Sequence, residues 1–592
     1  EQSPELRLAF ESEPETRKIL TLAKKLEGVA RHASVHAAGV VIADKELTEY
    51  TPLQKETNGE KIVTQYDMYT IGEDGVGLLK IDFLGLRNLT IIQETLRFVK
   101  ENQQKELDFS QISFVDKKTF DLLSSGETTG IFQLESSGMR RYIKDLKPTT
   151  IFDLQAMVAL YRPGPMANIP EFIKRKNNPS LITYPDKRLE EVLKESYGII
   201  TFQDDLLLTA VKVAGYSWLE ADKLRKAVGK KIPGEMKKQH DKFVAGCVAN
   251  GMEKGKADNL WTLFEPFAGY GFGKAHAACY ATISFRTAYL KAHYPVEFMT
   301  AVLTAESRGS SGPAKDEKLT RAIEECRRMK IVLLAPDINV SGVEFMIEKG
   351  QTIRFGLSAI KNVGTAAIES ILKARNHGEK FLSLTDFCRG VELSKVNKKT
   401  LESLIKAGAM DSFGKRAAML SSLGKIMEES HRQQKQTLAG QDSLFGLEES
   451  QSKEILSDLE EFSRNELLTF ERELFGFYLT EHPLRPVLDL LADKISHRIV
   501  ELSDLPSGSK ILIGGVIMSV KKIFTKATNA EMAFIKLEDL SGSMEIVIFP
   551  KTFAQFREYL VQDKIILVEG KLDFKDDRPV VLAEKISPFP SG

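Results

Sequence analysis

Leu78-Leu79-Lys80-Ile81-Asp82-Phe83-Leu84-Gly85-Leu86 is an apolar run with one carboxylate in it, and it restricts the chain more than any other stretch. Leu78, Leu79, Ile81 and Phe83 have the composition of a half-buried strand. Gly85 breaks that pattern, and Leu86, Leu89, Ile91 and Ile92 then recur as on a helix. Asp82 is therefore placed where a strand hands over to a helix, and a carboxylate left unpaired there is costly. Lys80 shares its strand face by the period of two. Either a structural Lys80–Asp82 pair or a bound metal ion answers the charge.

At 592 residues the chain is long enough for several domains. Lys plus Arg and Asp plus Glu both number 82, and this balance neither points to nor excludes nucleic acid, because a basic face on one domain is offset by others. Cys247, Cys279, Cys326 and Cys388 stand singly, which argues against a disulfide framework or a thiolate zinc site and fits a reducing cytoplasm. No apolar run reaches the length of a membrane span. The start, Glu1-Gln2-Ser3-Pro4, has neither an initiator Met nor a signal-peptide pattern and reads as cut from a longer polypeptide.

The periodicity changes along the chain. Residues 1 to about 36 have helical spacing, with Leu20, Leu22, Ala23 and Leu26 on one face. Val40 to Ile42, Ile62 to Gln65 and Leu78 to Phe83 read as short strands joined by polar turns. From about 90 to 305 the pattern is largely helical. Arg308 to Pro313 is a loop or hinge, a mixed region follows, and helices then run to about 430. The polar stretch from Arg432 to Ser452 has the composition of a flexible segment. From about 505 five short strands recur, Ile511 to Val516, Ala533 to Leu537, Met544 to Phe549, Ile565 to Leu572 and Val580 to Leu582, spaced for a small closed or sandwiched β domain.

Five stretches have the chemistry of binding sites. Lys223, Arg225, Lys226, Lys230, Lys231, Lys237 and Lys238 form either a solvated helix face or a set of cations converging on one anionic group. Nearby, Gly269-Tyr270-Gly271-Phe272-Gly273-Lys274-Ala275-His276 is a glycine-rich turn that carries Lys274 into a helix, a pattern suited to a polyphosphate, while His276 also fits simple helix packing. Leu357 to Ile368, with Lys361, Val363 and Gly364 at its turn, has the spacing of a helix-hairpin-helix that grips a nucleic-acid phosphate, or of an ordinary αα-hairpin. Leu393 to Ala409 is a weaker second copy. Gln441, Leu444 and Phe445 make a Q-x-x-L-F peptide on the flexible segment, suited to docking in an apolar pocket. In the terminal β domain Lys521, Lys522 and Lys526 interleave with Phe524 between the first two strands, as single-stranded nucleic acid or a solvated loop would have it.

Together with His32-Ala33-Ser34-Val35-His36-Ala37-Ala38-Gly39, Gly130-Ile131-Phe132-Gln133-Leu134-Glu135-Ser136, Leu160-Tyr161-Arg162-Pro163-Gly164-Pro165 and Phe475-Gly476-Phe477-Tyr478, these stretches resemble the alpha subunits of bacterial DNA polymerase III, the C-family replicative polymerases. The resemblance implies a multidomain α+β chain. Residues 1–37 would be the end of the thumb, 38–90 the second part of the palm, 91–340 largely helical fingers, 341–495 a clamp-binding domain with the helix-hairpin-helix pair, and 496–592 a small β-barrel OB domain. It implies template-directed DNA synthesis from dNTPs on primer-template DNA, with Mg2+ in a two-metal site. Asp82 would be the third palm carboxylate, Lys80, Arg225, Lys230 and Lys274 would face the triphosphate, and Gln441, Leu444 and Phe445 would enter a sliding clamp, with other replisome subunits as further partners.

The departures from the family pattern also carry expectations. The paired D-x-D aspartates, the rest of the thumb and the amino-terminal PHP domain lie upstream of the residues present, so the chain alone is expected to be inactive. A clamp-loader-binding domain is likewise absent after the OB domain. Gly273 and Ala275 stand where the glycine-turn motif has Asn and Ser, and Asn362 where a hairpin glycine is usual. A non-catalytic DNA- and clamp-binding piece, the second half of a split enzyme, and an error-prone lesion-bypass paralogue are the alternative readings.

Overall fold

The computed structural model of the chain describes residues 4–29, 33–56, 59–72, 75–230, 233–264, 272–308, 313–376, 380–438, 456–480, 491, 494–525, 530–539, 541–562, 564–575 and 578–589. They form two compact units, Glu1–Arg87 and Asn88–Gly592.

The first unit opens with helices Pro4–Ser12 and Pro14–Leu26. Helical spacing continues in the sequence to about 36, but the second helix stops at Leu26, where Glu27 turns extended and Gly28 takes a left-handed conformation at φ +80°. Two antiparallel pairs follow: β1 (Gly39–Ile42) with β4 (Leu79–Asp82), and β2 (Leu53–Lys55) with β3 (Ile62–Thr64). The strand Leu53–Lys55 has no apolar alternation to announce it. Asp67 starts the short helix Met68–Ile71 by accepting the Tyr69 and Thr70 amides at 2.9 and 3.2 Å.

In the second unit, helix Arg87–Gln103 buries Ile91, Ile92, Thr95, Phe98 and Val99, the stripe expected of an amphipathic helix. Two helices are instead buried almost all round. Ile151–Leu160, held by a Thr150–Asp153 capping box, is buried from Asp153 to Leu160, and Pro295–Ser307 from Val296 to Ser307. Helix Lys274–His293 packs against both, and Lys117–Ser124 packs against that helix in turn. One continuous core then runs from Ile91 through Leu303 and Phe355 to Leu479. It takes in a three-stranded sheet made of β5 (Val332–Leu334), β6 (Met346–Glu348) and β7 (Thr352–Arg354).

The five terminal strands close into a barrel: β8 (Lys510–Phe524), β9 (Glu531–Glu538), β10 (Ser543–Ile548), β11 (Ile565–Lys575) and β12 (Arg578–Pro588), in the order β10-β12-β11-β8-β9. The only parallel pair among them is β10 with β12, and helix Pro550–Phe556 lies between β10 and β11 in sequence. This is the OB topology. A Cβ on Gly515 would come within 2.4 Å of the Glu538 carbonyl oxygen, so the strand approach there admits only glycine. Lys521 and Lys522, expected in a loop, lie inside β8 beyond a register shift at Ile517/Ser519 and face Phe534 and Ala533 of β9. As neighbours on a strand they point to opposite faces and do not converge on one phosphate. Among the described residues no helix is long and apolar enough to cross a membrane.

The barrel also faces a part-buried acid. Burial pushes the Glu324 carboxyl, on helix Pro313–Arg328, up to about 7. Arg327 and Arg321 pull it down, and Asp539 and Glu538 of the barrel push it up. The folded state thus keeps a proton that the unfolded chain releases near its ordinary value, so this group's contribution to stability falls as pH rises from about 4.5 to about 7. Asp205, driven up to about 6 by burial, acts in the same direction. Glu324→Gln is expected to stabilise the protein by about 3 kcal/mol at pH 8 and to change little at pH 4. Thermal unfolding at the two pH values checks this, and equal effects at both would refute it.

Candidate active site and nucleic-acid interface

In the first unit the antiparallel register sets Gly39 opposite Asp82 and Val41 opposite Lys80. Lys80 Nζ donates to Asp82 Oδ1 at 2.5 Å, and this bond, with the charge of the Lys80 ammonium, holds the Asp82 carboxyl below the usual range against the opposing effect of burial. Both readings of the sequence survive in this geometry. The Lys80 pair exists, and the Asp82 side chain is 51% exposed at the strand end, open to a further ligand. His36 had no role assigned from sequence. Its Nδ1 accepts the Gly39 and Ala38 amides at 2.8 and 3.2 Å and lies 3.8 Å from Asp82 Oδ1. Backbone amides only donate, so the ring proton belongs on Nε2. A Cβ on Gly39 would come within 3.0 Å of His36 Nδ1 and 3.3 Å of Asp82 Oδ1, which explains the glycine facing the carboxylate.

In the second unit, three motifs far apart in sequence meet. The Phe132 and Tyr280 rings lie 5.0 Å apart, Tyr280 and His276 4.2 Å, and His276 and Phe272 4.8 Å. The Arg162 guanidinium lies over the Phe272 ring at 4.3 Å, and Ser136 Oγ bonds Tyr161 OH at 3.4 Å. His276 is thus a packing residue of this aromatic row. Beside it, Lys274 opens helix Lys274–His293 with its amide on Asp204 Oδ2 at 2.6 Å and its Nζ on Glu195 Oε2 at 2.8 Å. Gln155 Nε2 donates to the Lys274 carbonyl at 3.1 Å.

Arg225 and Lys226, on helix Trp218–Lys230, both meet Asp222: Arg225 at 2.8 Å and Lys226 at 3.6 Å. The Lys230 side chain, Lys231 and Gly269 to Gly271 lie outside the described residues. Glu195 had no signal in the sequence, because nothing local links it to position 274.

Helix-hairpin-helix geometry is present with altered parts. The segment before the first turn is a single 3-10 turn, Leu357–Ala359, and the helix after it is Thr365–Asn376. Asn362 takes the left-handed conformation at φ +69° that a hairpin glycine would supply. Its Nδ2 donates to Ser403 Oγ at 3.2 Å and its carbonyl accepts from Thr400 Oγ1 at 3.1 Å, which stitches this turn to the second hairpin. That hairpin is built from helices Leu384–Gly390 and Lys398–Lys406, so it begins upstream of Leu393.

Val363 does not fit a phosphate role. Its side chain is in the core and its amide is turned to the Ile360 carbonyl at 3.3 Å. Gly364, Thr365 and Ala366 open the following helix and are exposed, with Lys361 exposed beside them. Lys522 Nζ in the barrel lies 6.0 Å from the Phe553 ring centroid. Gln441, Leu444 and Phe445, and Lys526, lie outside the described residues.

Asp82 supplies one hard oxygen ligand suited to Mg2+. Among the described residues no group of three or more His, Cys, Asp and Glu side chains is placed to hold a metal ion, so Asp82 does not by itself make a two-ion site.

Family models match along the chain in series. The bacterial DNA polymerase III alpha NTPase domain matches residues 1–85, the bacterial DNA polymerase III alpha subunit finger domain 88–251, a helix-hairpin-helix motif 330–419, and an OB-fold nucleic acid binding domain 511–589. The DNA polymerase III subunit alpha of Thermus aquaticus is 41% identical over 98% of this chain and 47% of the relative. That of Bacillus subtilis is 39% identical over 98% and 51%, and that of Escherichia coli K12 38% over 97% and 50%. The chain spans about half the length of the curated relatives it matches.

Proposed function

The chain belongs to the bacterial DNA polymerase III alpha-subunit family, and from that premise we propose that it is part of a cytoplasmic DNA-directed DNA polymerase, extending a primer 3′-hydroxyl with dNTPs during replication. The observation that carries the reading is Asp82, an exposed carboxylate at the end of β4, paired with Lys80 in register and backed by Gly39. Bound divalent ions supply Lewis-acid polarisation and charge neutralisation in such transfers. Asp82 would hold one of them. Lys80, Arg225, Lys230 and Lys274 would take the triphosphate, and Lys361 and Gly364 a DNA phosphate. Gln441, Leu444 and Phe445 would dock on a sliding clamp.

A single carboxylate does not hold two ions, so incorporation requires carboxylates from outside these residues. The second reading, a non-catalytic DNA- and clamp-binding piece, is favoured by the helix-hairpin-helix and OB-fold nucleic-acid-binding matches. Primer extension separates the two. We expect no incorporation by this chain with Mg2+ and dNTPs, and incorporation by a longer polypeptide carrying an upstream D-x-D. Failure of both would leave the binding reading. Incorporation by the short chain would mean other residues hold the metals. DNA affinity should fall steeply with salt, and Lys361→Ala should reduce the slope of log affinity against log salt by about 1. An unchanged slope would remove Lys361 from the DNA.

A further inference from the structure

Lys274 presents two features that attract anions, and both are occupied from within the chain. Its backbone amide, at the mouth of a 20-residue helix, points at Asp204 Oδ2 at 2.6 Å, and its ammonium at Glu195 Oε2 at 2.8 Å. A helix N-terminus and a lysine bind carboxylate and phosphate by the same charge-assisted hydrogen bonds. The two carboxylates come from separate places: Glu195 from the 3-10 turn Lys194–Ser196, and Asp204 from the first turn of helix Gln203–Ala214.

The rest of the turn is built to keep them there. Asp205, next to Asp204, is buried and accepts the Thr201 and Phe202 amides at 2.9 Å each, which pins the start of the helix. Gln203 donates its amide to the Phe272 carbonyl at 3.0 Å, which ties that helix to the segment leading into Lys274. Glu195 differs from both aspartates. Its side chain is 41% exposed and its ion pair is with Lys274, itself 35% exposed, so this contact is the one that opens without unfolding the turn.

We propose that Glu195 is a latch, an internal anion that holds the Lys274 ammonium until an incoming polyphosphate displaces it, and so sets the affinity of the site for nucleoside triphosphates. This rests on the assignment of Lys274 to the triphosphate. A half-exposed ion pair is worth a factor of about two to five in an equilibrium, so the latch tunes affinity without blocking the site. A polyphosphate brings several charges against one carboxylate and wins the exchange. A neutral nucleoside does not.

The test is calorimetric titration of dATP, and separately of inorganic tripolyphosphate, into the chain and its Glu195→Gln, Lys274→Met and doubly substituted forms. Glu195→Gln should tighten both ligands about two- to five-fold. The gain should shrink as salt rises and vanish when Lys274 is also Met. A purely structural effect of the glutamate would show neither dependence. If Lys274→Met weakens binding and Glu195→Gln leaves it unchanged, the latch is overturned and the triphosphate assignment stands. If Lys274→Met has no effect, or no form binds either ligand, the assignment falls and the latch with it.

Discussion

Asp82→Ala should lower nucleotide incorporation roughly 10³-fold in a polypeptide that carries the upstream D-x-D, with primer-template binding nearly intact. The direction follows from position. Asp82 is half exposed and bonded through Lys80 and the backbone ladder, with the half-exposed His36 3.8 Å away, so its loss opens no cavity and strands no buried partner. What disappears is an oxygen ligand and its charge. Asp82→Asn is the sharper form of the experiment, because it keeps shape and ladder while removing the charge. It should fall nearly as far. A structural Lys80–Asp82 pair makes a different prediction: Lys80→Met and Asp82→Ala would then shift the melting temperature alike, and incorporation would follow stability. Incorporation by Asp82→Ala within a few-fold of wild type would take Asp82 out of the metal site.

Much of the architecture was legible because it is written in local periodicity. All five barrel strands were visible as apolar alternations between polar turns, and the strand ending at Asp82 as an apolar run broken by Gly85. What escaped is of two kinds. Local chemistry was misplaced where a regular element ran further than its apolar pattern: β8 continues to Phe524, so Lys521 and Lys522 are strand residues. Pairings across long sequence distances had no local signal at all. Glu195 with Lys274, Arg162 with Phe272 and Asn362 with Ser403 depend on how helices pack, and each partner looks ordinary in its own neighbourhood. The exposed Asn362 was visible only as a departure from glycine. Its left-handed backbone shows that the position kept the glycine conformation and used the side chain to join the hairpins.

Lys291→Met should cost about 3–5 kcal/mol and lower the melting temperature by roughly 10 °C. Lys291 is fully buried in helix Lys274–His293, and its ammonium donates to the Glu127 and Thr129 carbonyls at 2.7 and 2.8 Å and to Glu325 Oε1 at 2.5 Å. Burial drives its pKa down, opposed by Glu325. Burial likewise pushes Glu325 up, and Arg328 and Lys291 outweigh it to leave that carboxyl below its usual range. Methionine fills most of the volume, so the loss is not a cavity but two part-buried carbonyls that lose this donor and a carboxylate left to Arg328.

The loop that Lys291 holds has a backbone that does not rest there unaided. Gly126, Gly130 and Gln133 all have positive φ, and for Gln133, at +61°, that conformation is unfavourable. Ser284 and Thr287, on the same helix, hold Phe132 by its carbonyl and amide at 2.9 and 3.2 Å. Lys291 therefore fixes the segment whose Phe132 ring packs on Tyr280 in the aromatic row beside Lys274. Amide hydrogen exchange should consequently rise first in residues 127–135, before global unfolding. Glu325→Gln combined with Lys291→Met should cost about 1–3 kcal/mol less than the two changes summed, because each alone strands the other. Additive losses, or exchange that rises evenly over the chain, would show that Lys291 contributes to general packing and not to holding this loop.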